Sequence, residues 1–219
     1  EYTSDFAFAT SQEAVDLSGS SQYLSANDSS SLDITGDLTI ECWIKPDVHN
    51  VTRSIVAKRN PGNNQRAYSF GLTSGSPSAS QLNWNSSSNG TLNDGNVFTA
   101  TDAITDTNWH HAGAVYTAAA HTVQFYLDGL PFEGARDITI TSIFNSNAKL
   151  YIGAQEDLLV NTLNGKVTEV RIWGAARTAA QILSYYNRHI LKPLPTTLKA
   201  YWPFETVKNN GAMLLPFII

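Results

Sequence analysis

Short stretches of alternating apolar and polar residues recur along this chain, and they constrain its fold more than any other feature. In LTIECWIKP, for example, Leu38, Ile40, Cys42 and Ile44 occupy every second position. Alternation with this period places one face of an extended strand in a core and the other face in solvent. We therefore predict strands at 14–17, 23–25, 37–45, 53–58, 68–73, 81–85, 109–117, 122–127, 149–153 and 165–173.

Sequences rich in Pro, Gly, Asn and Asp separate these predicted strands. Asn60-Pro-Gly and Asp128-Gly are typical of tight turns, because these residues favour or tolerate the turn conformations. Many short strands without an alternating strand–helix pattern indicate antiparallel pairing. The sequence therefore predicts an all-β fold, an antiparallel sandwich of two sheets or jelly roll.

One short helix is predicted in the C-terminal half of the chain. Thr178 and Gln181 have the spacing of a capping box, in which each side chain bonds the other residue's backbone amide. Pro193 marks the end of the helical segment. The apolar and aromatic stripe expected to pack against the sandwich edge consists of Ile182, Tyr185, Tyr186 and His189.

The length and composition favour one globular domain. The chain has 219 residues, of which 42% are hydrophobic and 11% aromatic, enough to form a full core. We predict a single domain at 1–205 and an apolar tail at 206–219. The tail is expected either to complete the sandwich as a terminal strand or to contact another subunit. It is shorter than the ~20 residues that a membrane-spanning helix requires, so no membrane span is predicted.

The charge pattern excludes some classes of partner. The net charge is −5, charged residues make up 15% of the chain, and no basic run is present. Binding to nucleic acid or to anionic lipid is therefore not expected. A surface rich in Ser, Thr, Asn and Gly favours an extracellular, cell-surface or virion-surface protein. The single cysteine, Cys42, cannot form an intrachain disulfide and is expected in the core.

Catalytic motifs are absent from the sequence. Retaining or inverting glycoside hydrolases need two carboxylates beside the scissile bond, and the E-x-D-x-x-E pattern that supplies them in sandwich glucanases does not occur. H-E-x-x-H, G-x-S-x-G and P-loop sequences do not occur either. We therefore expect a non-catalytic protein.

Two charged patterns on predicted strands indicate structural roles. His110 and His111 are adjacent, so their side chains point to opposite faces and cannot share one metal ion. Glu169 and Arg171 are two residues apart and share a face, which predicts a structural ion pair.

A candidate glycan site follows from the segment QLNWNSSSNGTLNDGN. Sugar sites combine an aromatic ring that contacts the C–H face of the sugar with amide and carboxylate groups that bond its hydroxyls. The residues that supply this set are Trp84, Asn83, Asn85, Asn93 and Asp94. The alternative is that Trp84 faces the core and that a solvated loop follows it.

Three segments in this order carry a family resemblance: NWHHAGAVYT, VQFYLDG and NGKVTEVRIWGAAR. They resemble the corresponding strands and turns of the laminin-G-like, concanavalin A-like jelly-roll family. The resemblance implies a concanavalin A-like jelly roll and a role in extracellular recognition.

The chain also resembles the pentraxin branch of that family, which implies a calcium site. In pentraxins an acidic and amide triplet after one strand binds calcium together with an Asp-Asn pair in another loop. The matching positions here are Gln155, Glu156 and Asp157 in the first loop and Asn63 and Asn64 in the second. Gln155 and Asn63 replace expected carboxylates, and fewer carboxylates weaken the attraction for Ca²⁺. The alternative is that these residues solvate their loops.

Two non-catalytic functions and one enzymatic function are compatible with the sequence. The first is a recognition or adhesion module that binds glycans or glycoproteins, with calcium as a candidate cofactor. The second is a structural subunit of a surface assembly, such as a filament, an appendage or a viral capsid decoration, which self-associates through the apolar tail. A glycoside hydrolase of the same fold ranks third, because the paired carboxylates are missing.

Overall fold

The computed structural model describes residues 14–20, 22–75, 79–91, 94–98, 102–156, 161–190, 192–204 and 217–218. Within these residues the chain forms two antiparallel sheets and one α-helix. The predicted all-β sandwich with a single short helix in its C-terminal half is therefore confirmed.

The larger sheet contains eight strands, in the order β10-β9-β8-β3-β12-β13-β14, with β1 paired to β12. The strands are β1 (Val15–Ser18), β3 (Leu38–Pro46), β8 (His110–Thr117), β9 (Thr122–Leu127), β10 (Leu130–Asp137), β12 (Asn164–Trp173), β13 (Leu198–Trp202) and β14 (Phe217–Ile218). The segments that carried the family resemblance lie in β8, β9 and β12, near the centre of this sheet.

The smaller sheet contains six strands, in the order β2-β11-β4-β5-β6-β7. The strands are β2 (Leu24–Ala26), β4 (Arg53–Asn60), β5 (Gln65–Ser74), β6 (Ser80–Ser86), β7 (Val97–Phe98) and β11 (Leu150–Ile152). A short 3-10 helix, Pro61–Asn63, turns the chain from β4 into β5.

The core lies between the two sheets. Trp84 stacks on Tyr116 with ring centroids 6.2 Å apart, and Phe70 stacks on Phe125 at 6.5 Å, so each pair joins the two sheets. Cys42 is fully buried as predicted, and burial raises the pKa of its thiol. Alternation in β3 therefore directs its small apolar residues inward, as the sequence indicated.

Strand β10 was not predicted from the sequence. It lies at an edge of the eight-stranded sheet and pairs with β9, and its side chains are mostly exposed or half-buried. An edge strand with neither face fully buried needs no apolar alternation, so the periodic signal is missing. Pro131 and Gly134 weaken the signal further.

The tail contributes one short strand. Phe217–Ile218 forms β14 and pairs with β13, with Ala200 opposite Ile218 and Tyr201 opposite Phe217. The rest of the predicted tail, residues 206–216 and 219, lies outside the described residues. The domain boundary at 205 remains a prediction.

The helix α1 (Ala179–Tyr185) begins at the predicted capping box. The Gln181 amide donates to Thr178 Oγ1 at 3.2 Å, and the Thr178 amide donates to Gln181 Oε1 at 2.9 Å. Ile182 is buried against Val115 and Tyr126 on the outer face of the eight-stranded sheet. The predicted packing of the helix on the sandwich is confirmed for this residue.

A buried layer of charges lies between that outer face and the chain around the helix. Arg171 Nη2 contacts Glu169 Oε2 at 2.6 Å, which confirms the predicted ion pair, and Arg171 Nη1 donates to Tyr185 O at 2.9 Å. Tyr201 Oη donates to Glu169, and His189 Nδ1 lies 2.9 Å from Glu169 Oε1. One carboxylate and one guanidinium therefore connect β12, β13 and the C-terminal end of α1.

Burial and pairing have opposite effects on the carboxyl of Glu169. Burial alone would raise its pKa, but the hydrogen bond with His189 and the charge of Arg171 lower it below the ordinary value of 4.5. A carboxylate whose pKa is lowered on folding stabilises the fold above its unfolded pKa, and this contribution is lost as the pH falls through the folded value.

We predict that Glu169→Gln makes stability less sensitive to acid. The glutamine keeps the shape of the side chain but cannot titrate, so the melting temperature should fall less steeply below pH 4.5 than in the unmodified protein. Thermal unfolding followed by circular dichroism between neutral pH and pH 3 measures this slope. An equal slope in both proteins would show that Glu169 does not contribute to acid unfolding.

A second buried cation lies at the end of β4. The Lys58 side chain is 1% exposed, and its Nζ lies 2.6 Å from Asp28 Oδ1 and 3.1 Å from Asp33 Oδ1. It also donates to the carbonyl oxygen of Ser146. The ammonium therefore ties β4 to the loop before β3 and to the segment before β11.

We predict that Lys58→Met destabilises the protein by about 2 to 3 kcal/mol. Methionine fills the space but leaves two partly buried carboxylates without their cation. Removing one partner of a buried ion pair destabilises a protein more than replacing both partners. Urea unfolding measures the loss, and Lys149→Met, at an exposed position, is the matched control. Adding Asp28→Asn and Asp33→Asn should restore part of the stability; a triple variant no more stable than Lys58→Met would contradict the charge explanation.

Candidate functional site

The outer face of the six-stranded sheet carries an open depression. It extends from β6 across β5 to the start of β4, and the chain that follows β11 forms its far wall. We place the candidate site here because polar side chains line the depression: Ser54, Ser69, Asn83, Asn85, Gln155 and Asn161.

Small residues form the floor of the depression. Asn85 is opposite Ser69 on β5, and Asn83 is opposite Gly71, which is opposite Ser54 on β4. A Cβ atom at Gly71 would lie 2.2 Å from the carbonyl oxygen of Arg53, so only glycine allows the two strands to approach this closely. Short side chains in the middle of the face and longer amides at its sides create the concave shape.

Two pairs of amides form the opposite walls. Asn85 Nδ2 donates to Asn83 Oδ1 on one side, and Asn161 Nδ2 donates to Gln155 Oε1 at 3.1 Å on the other. Asn161 is held in place because its carbonyl oxygen accepts a 2.8 Å bond from the Ser54 amide. Asn83 Nδ2 also donates to Asn96 Oδ1 at 3.5 Å. A primary amide has two N–H groups and one carbonyl, so the bonds within the walls use only part of the hydrogen-bonding capacity of Asn85, Gln155 and Asn161.

The depression is polar and nearly uncharged. Arg53 is the one charged residue among the described residues that line it. Arg53 is opposite Leu72, whose side chain lies in the core, so its own side chain leaves the strand on the inner side of the sheet. The chemistry offered to a ligand is therefore that of amides and hydroxyls.

Trp84 does not contribute to the site, which corrects the prediction that its ring could contact a sugar. Its side chain is fully buried, stacks on Tyr116, and donates from Nε1 to Ser86 Oγ at 2.9 Å. Strand alternation explains the correction: Asn83 and Asn85 point outward, so the residue between them points into the core. The alternative that the sequence left open, a core-facing Trp, is the one observed.

Of the other two residues of the predicted glycan set, the structure describes Asp94, which does not join Asn83 and Asn85. Asp94 accepts a 2.9 Å bond from the Ser88 amide and a second from the Ser88 hydroxyl, so its carboxylate closes the turn after β6. It is not among the residues that line the depression. Asn93 lies outside the described residues.

The predicted calcium residues occupy different surroundings. Asn63 and Asn64 are exposed in the turn between β4 and β5, whereas Gln155 lines the depression. Glu156 is buried within electrostatic range of Arg59, a cation that competes with a metal ion for its carboxylate. Asp157 lies outside the described residues. The calcium site remains a prediction.

The side chains of His110 and His111 point to opposite faces of β8, as predicted, and have different partners. His110 is half-buried and bonds Asp128 at 2.9 Å, which raises its pKa, while His111 lies 3.2 Å from buried Glu41. Among the described residues, no group of three or more His, Cys, Asp or Glu side chains has a geometry that could hold a metal ion. The two histidines therefore act as separate structural groups.

Comparison with known proteins identifies the family. The family model described as the concanavalin A-like lectin/glucanases superfamily matches residues 18–183. The chain belongs to this superfamily. The resemblance noted in the sequence is thereby confirmed, together with the lectin-like sandwich that it implied.

Several solved structures share the fold of this chain. A native heptameric SAP-like pentraxin from Limulus polyphemus is 19% identical, with a TM-score of 0.58 over 83% of this chain and 79% of that one. A putative carbohydrate binding protein from Bacteroides ovatus is 17% identical, with a TM-score of 0.61 over 83% of this chain and 48% of that one. Domain 4 of an extracellular arabinanase from Geobacillus stearothermophilus, in complex with arabinotriose, is 18% identical, with a TM-score of 0.57 over 78% and 75%. At these low sequence identities, the structural similarity shows a common fold and nothing more.

None of the helices formed by the described residues combines the length and the apolarity needed to cross a membrane.

We predict that Trp84→Phe lowers stability without changing ligand binding. The smaller ring leaves space beside Tyr116 and loses the bond to Ser86, which should cost about 2 kcal/mol. Urea unfolding measures the loss, and affinity for any saccharide that the protein binds should be unchanged. A folded variant that has lost saccharide affinity would restore Trp84 as a ligand-binding residue.

Proposed function

We propose that this domain is a non-catalytic carbohydrate-binding module that holds a saccharide in the depression on the outer face of the six-stranded sheet. The observation that carries the proposal is the pair of amide walls, Asn83 with Asn85 and Gln155 with Asn161, on either side of a floor of small residues. A sugar ring presents hydroxyls that both donate and accept hydrogen bonds, and a primary amide does the same.

The chemistry of the lining residues favours binding over hydrolysis. Cleavage of a glycosidic bond requires two carboxyl groups positioned on either side of it. The described residues that line the depression include neither Asp nor Glu. The described lining residues can hold a sugar by hydrogen bonds but include no pair of carboxyl groups to act as acid and base.

Three further considerations support the proposal. The Bacteroides ovatus protein is named as a putative carbohydrate binding protein, and the arabinanase domain was solved with arabinotriose. These statements concern those proteins and reach this chain only through the shared fold. The low content of charged residues, 15%, fits a protein that works outside the cell. We therefore place the proposed function in extracellular recognition of a glycan or glycoprotein.

We predict that Asn85→Ala weakens saccharide binding about tenfold, which corresponds to the loss of one or two hydrogen bonds. A glycan array identifies a ligand, and isothermal titration calorimetry with that ligand measures the affinity of each variant. Asn145→Ala is the matched control, because Asn145 is an exposed asparagine outside the depression.

Two outcomes would contradict the proposal. If Asn85→Ala and the unmodified protein bind the saccharide equally well, the site lies elsewhere on the domain. If the folded protein binds no saccharide on the array, the carbohydrate-binding function itself is wrong.

A further inference from the structure

The walls and floor of the depression also restrict the class of saccharide that fits. We infer that the depression receives the end of an uncharged saccharide chain and holds it by direct amide hydrogen bonds, without calcium. The inference rests on the proposed function, and it adds three properties that can be tested separately: the ligand's charge, its independence of metal, and the part of the chain that is bound.

The charge of the ligand follows from the side chains that face it. Among the described lining residues, the polar side chains that point outward are hydroxyls and amides, and the side chain of Arg53 leaves its strand on the inner side of the sheet. A carboxylate or sulfate on the sugar would lose its hydration in the depression without gaining a cation from the side chains that point outward, which is costly. Hydroxyl groups find matching donors and acceptors there.

Independence of calcium follows from the oxygen atoms available. Calcium binds six to eight oxygens, and carboxylates supply most of the charge that attracts it. The described lining residues contribute amide and hydroxyl oxygens but no carboxylate. Two of the amide oxygens, Asn83 Oδ1 and Gln155 Oε1, already accept hydrogen bonds within the walls. The amide groups of Asn85, Gln155 and Asn161 that these two bonds do not use can bond a sugar hydroxyl directly.

Binding of a chain end follows from where the depression stops. The distance from β6 to β4 is two strand spacings, about 10 Å, and Gln155 and Asn161 stand at its far side. The next positions on the same outer face, Ala57 and Tyr151, are 0% and 3% exposed, so the face is covered beyond this wall. A saccharide that enters from the β6 side therefore ends at this wall.

The test compares two sets of probes by isothermal titration calorimetry. The uncharged probes are gluco-, galacto- and arabino-oligosaccharides of increasing length, and the charged probes are oligogalacturonides and sulfated heparin fragments. Each probe is titrated with calcium chloride and with EDTA, at low and at high salt. The expected result is binding of an uncharged series, with equal affinity in calcium and EDTA, little dependence on salt, and no gain in affinity beyond the disaccharide.

Substitutions connect the result to the depression. Asn85→Asp removes the donor that bonds Asn83 and adds a negative charge while keeping the shape, so affinity for the uncharged probe should fall about tenfold. Asn145→Asp adds the same charge at an exposed position outside the depression and should leave affinity unchanged. Circular dichroism confirms that both variants fold.

Each component of the inference has its own contrary outcome. Preferential binding of the charged probes would overturn the assignment to uncharged saccharides, and loss of binding in EDTA would overturn calcium independence. Affinity that keeps rising with chain length would show that the interior of the chain is bound. In all three cases the proposed function would stand. Failure of every probe to bind the folded protein would instead contradict the proposed function, and the inference with it.

Discussion

The alternation of side chains along β4, β5 and β6 is the constraint on which both the core and the candidate site depend. In an extended strand, every residue that points into the core obliges its neighbours to point away from it. Trp84 fills space beside Tyr116, and this directs Asn83 and Asn85 to the outer face. Phe70 and Leu72 enter the core in the same way, and Ser69 and Gly71 become the floor of the depression. One set of inward contacts therefore determines which polar groups a ligand meets.

Buried charges stabilise the parts of the sandwich that apolar packing does not reach. Lys58 joins the end of β4 to two loops through Asp28, Asp33 and the carbonyl of Ser146. Arg171 joins β12 to the carbonyl groups at the end of α1 and pairs with Glu169. Each cation has several oxygen partners, which offsets the cost of removing it from water. The chain has a single cysteine, so no disulfide within these residues adds to the stabilisation by the two clusters.

The polar groups around Lys58 and those in the depression have different kinds of partner. The carboxylates of Asp28 and Asp33 face the ammonium of Lys58, a cation of the protein itself. Asn85, Gln155 and Asn161 line the depression and have more hydrogen-bonding groups than the bonds within its walls use. The first set of polar groups therefore faces a charged partner within the protein, and the second faces the open depression.

The sequence by itself determined the two-sheet sandwich, the capped helix at Thr178 and the inward position of Cys42, because each depends on local periodicity or on residues a few positions apart. It also placed Asn83 and Asn85 on one face of one strand, but it could not choose whether Trp84 or its neighbours faced the core. Only the tertiary structure decided that, since the choice depends on Tyr116 from the opposite sheet. It also brought Gln155 and Asn161 to the wall opposite Asn85, although they are distant in sequence. Whether residues so far apart in sequence lie close together depends on strand order and register, which local sequence patterns do not encode.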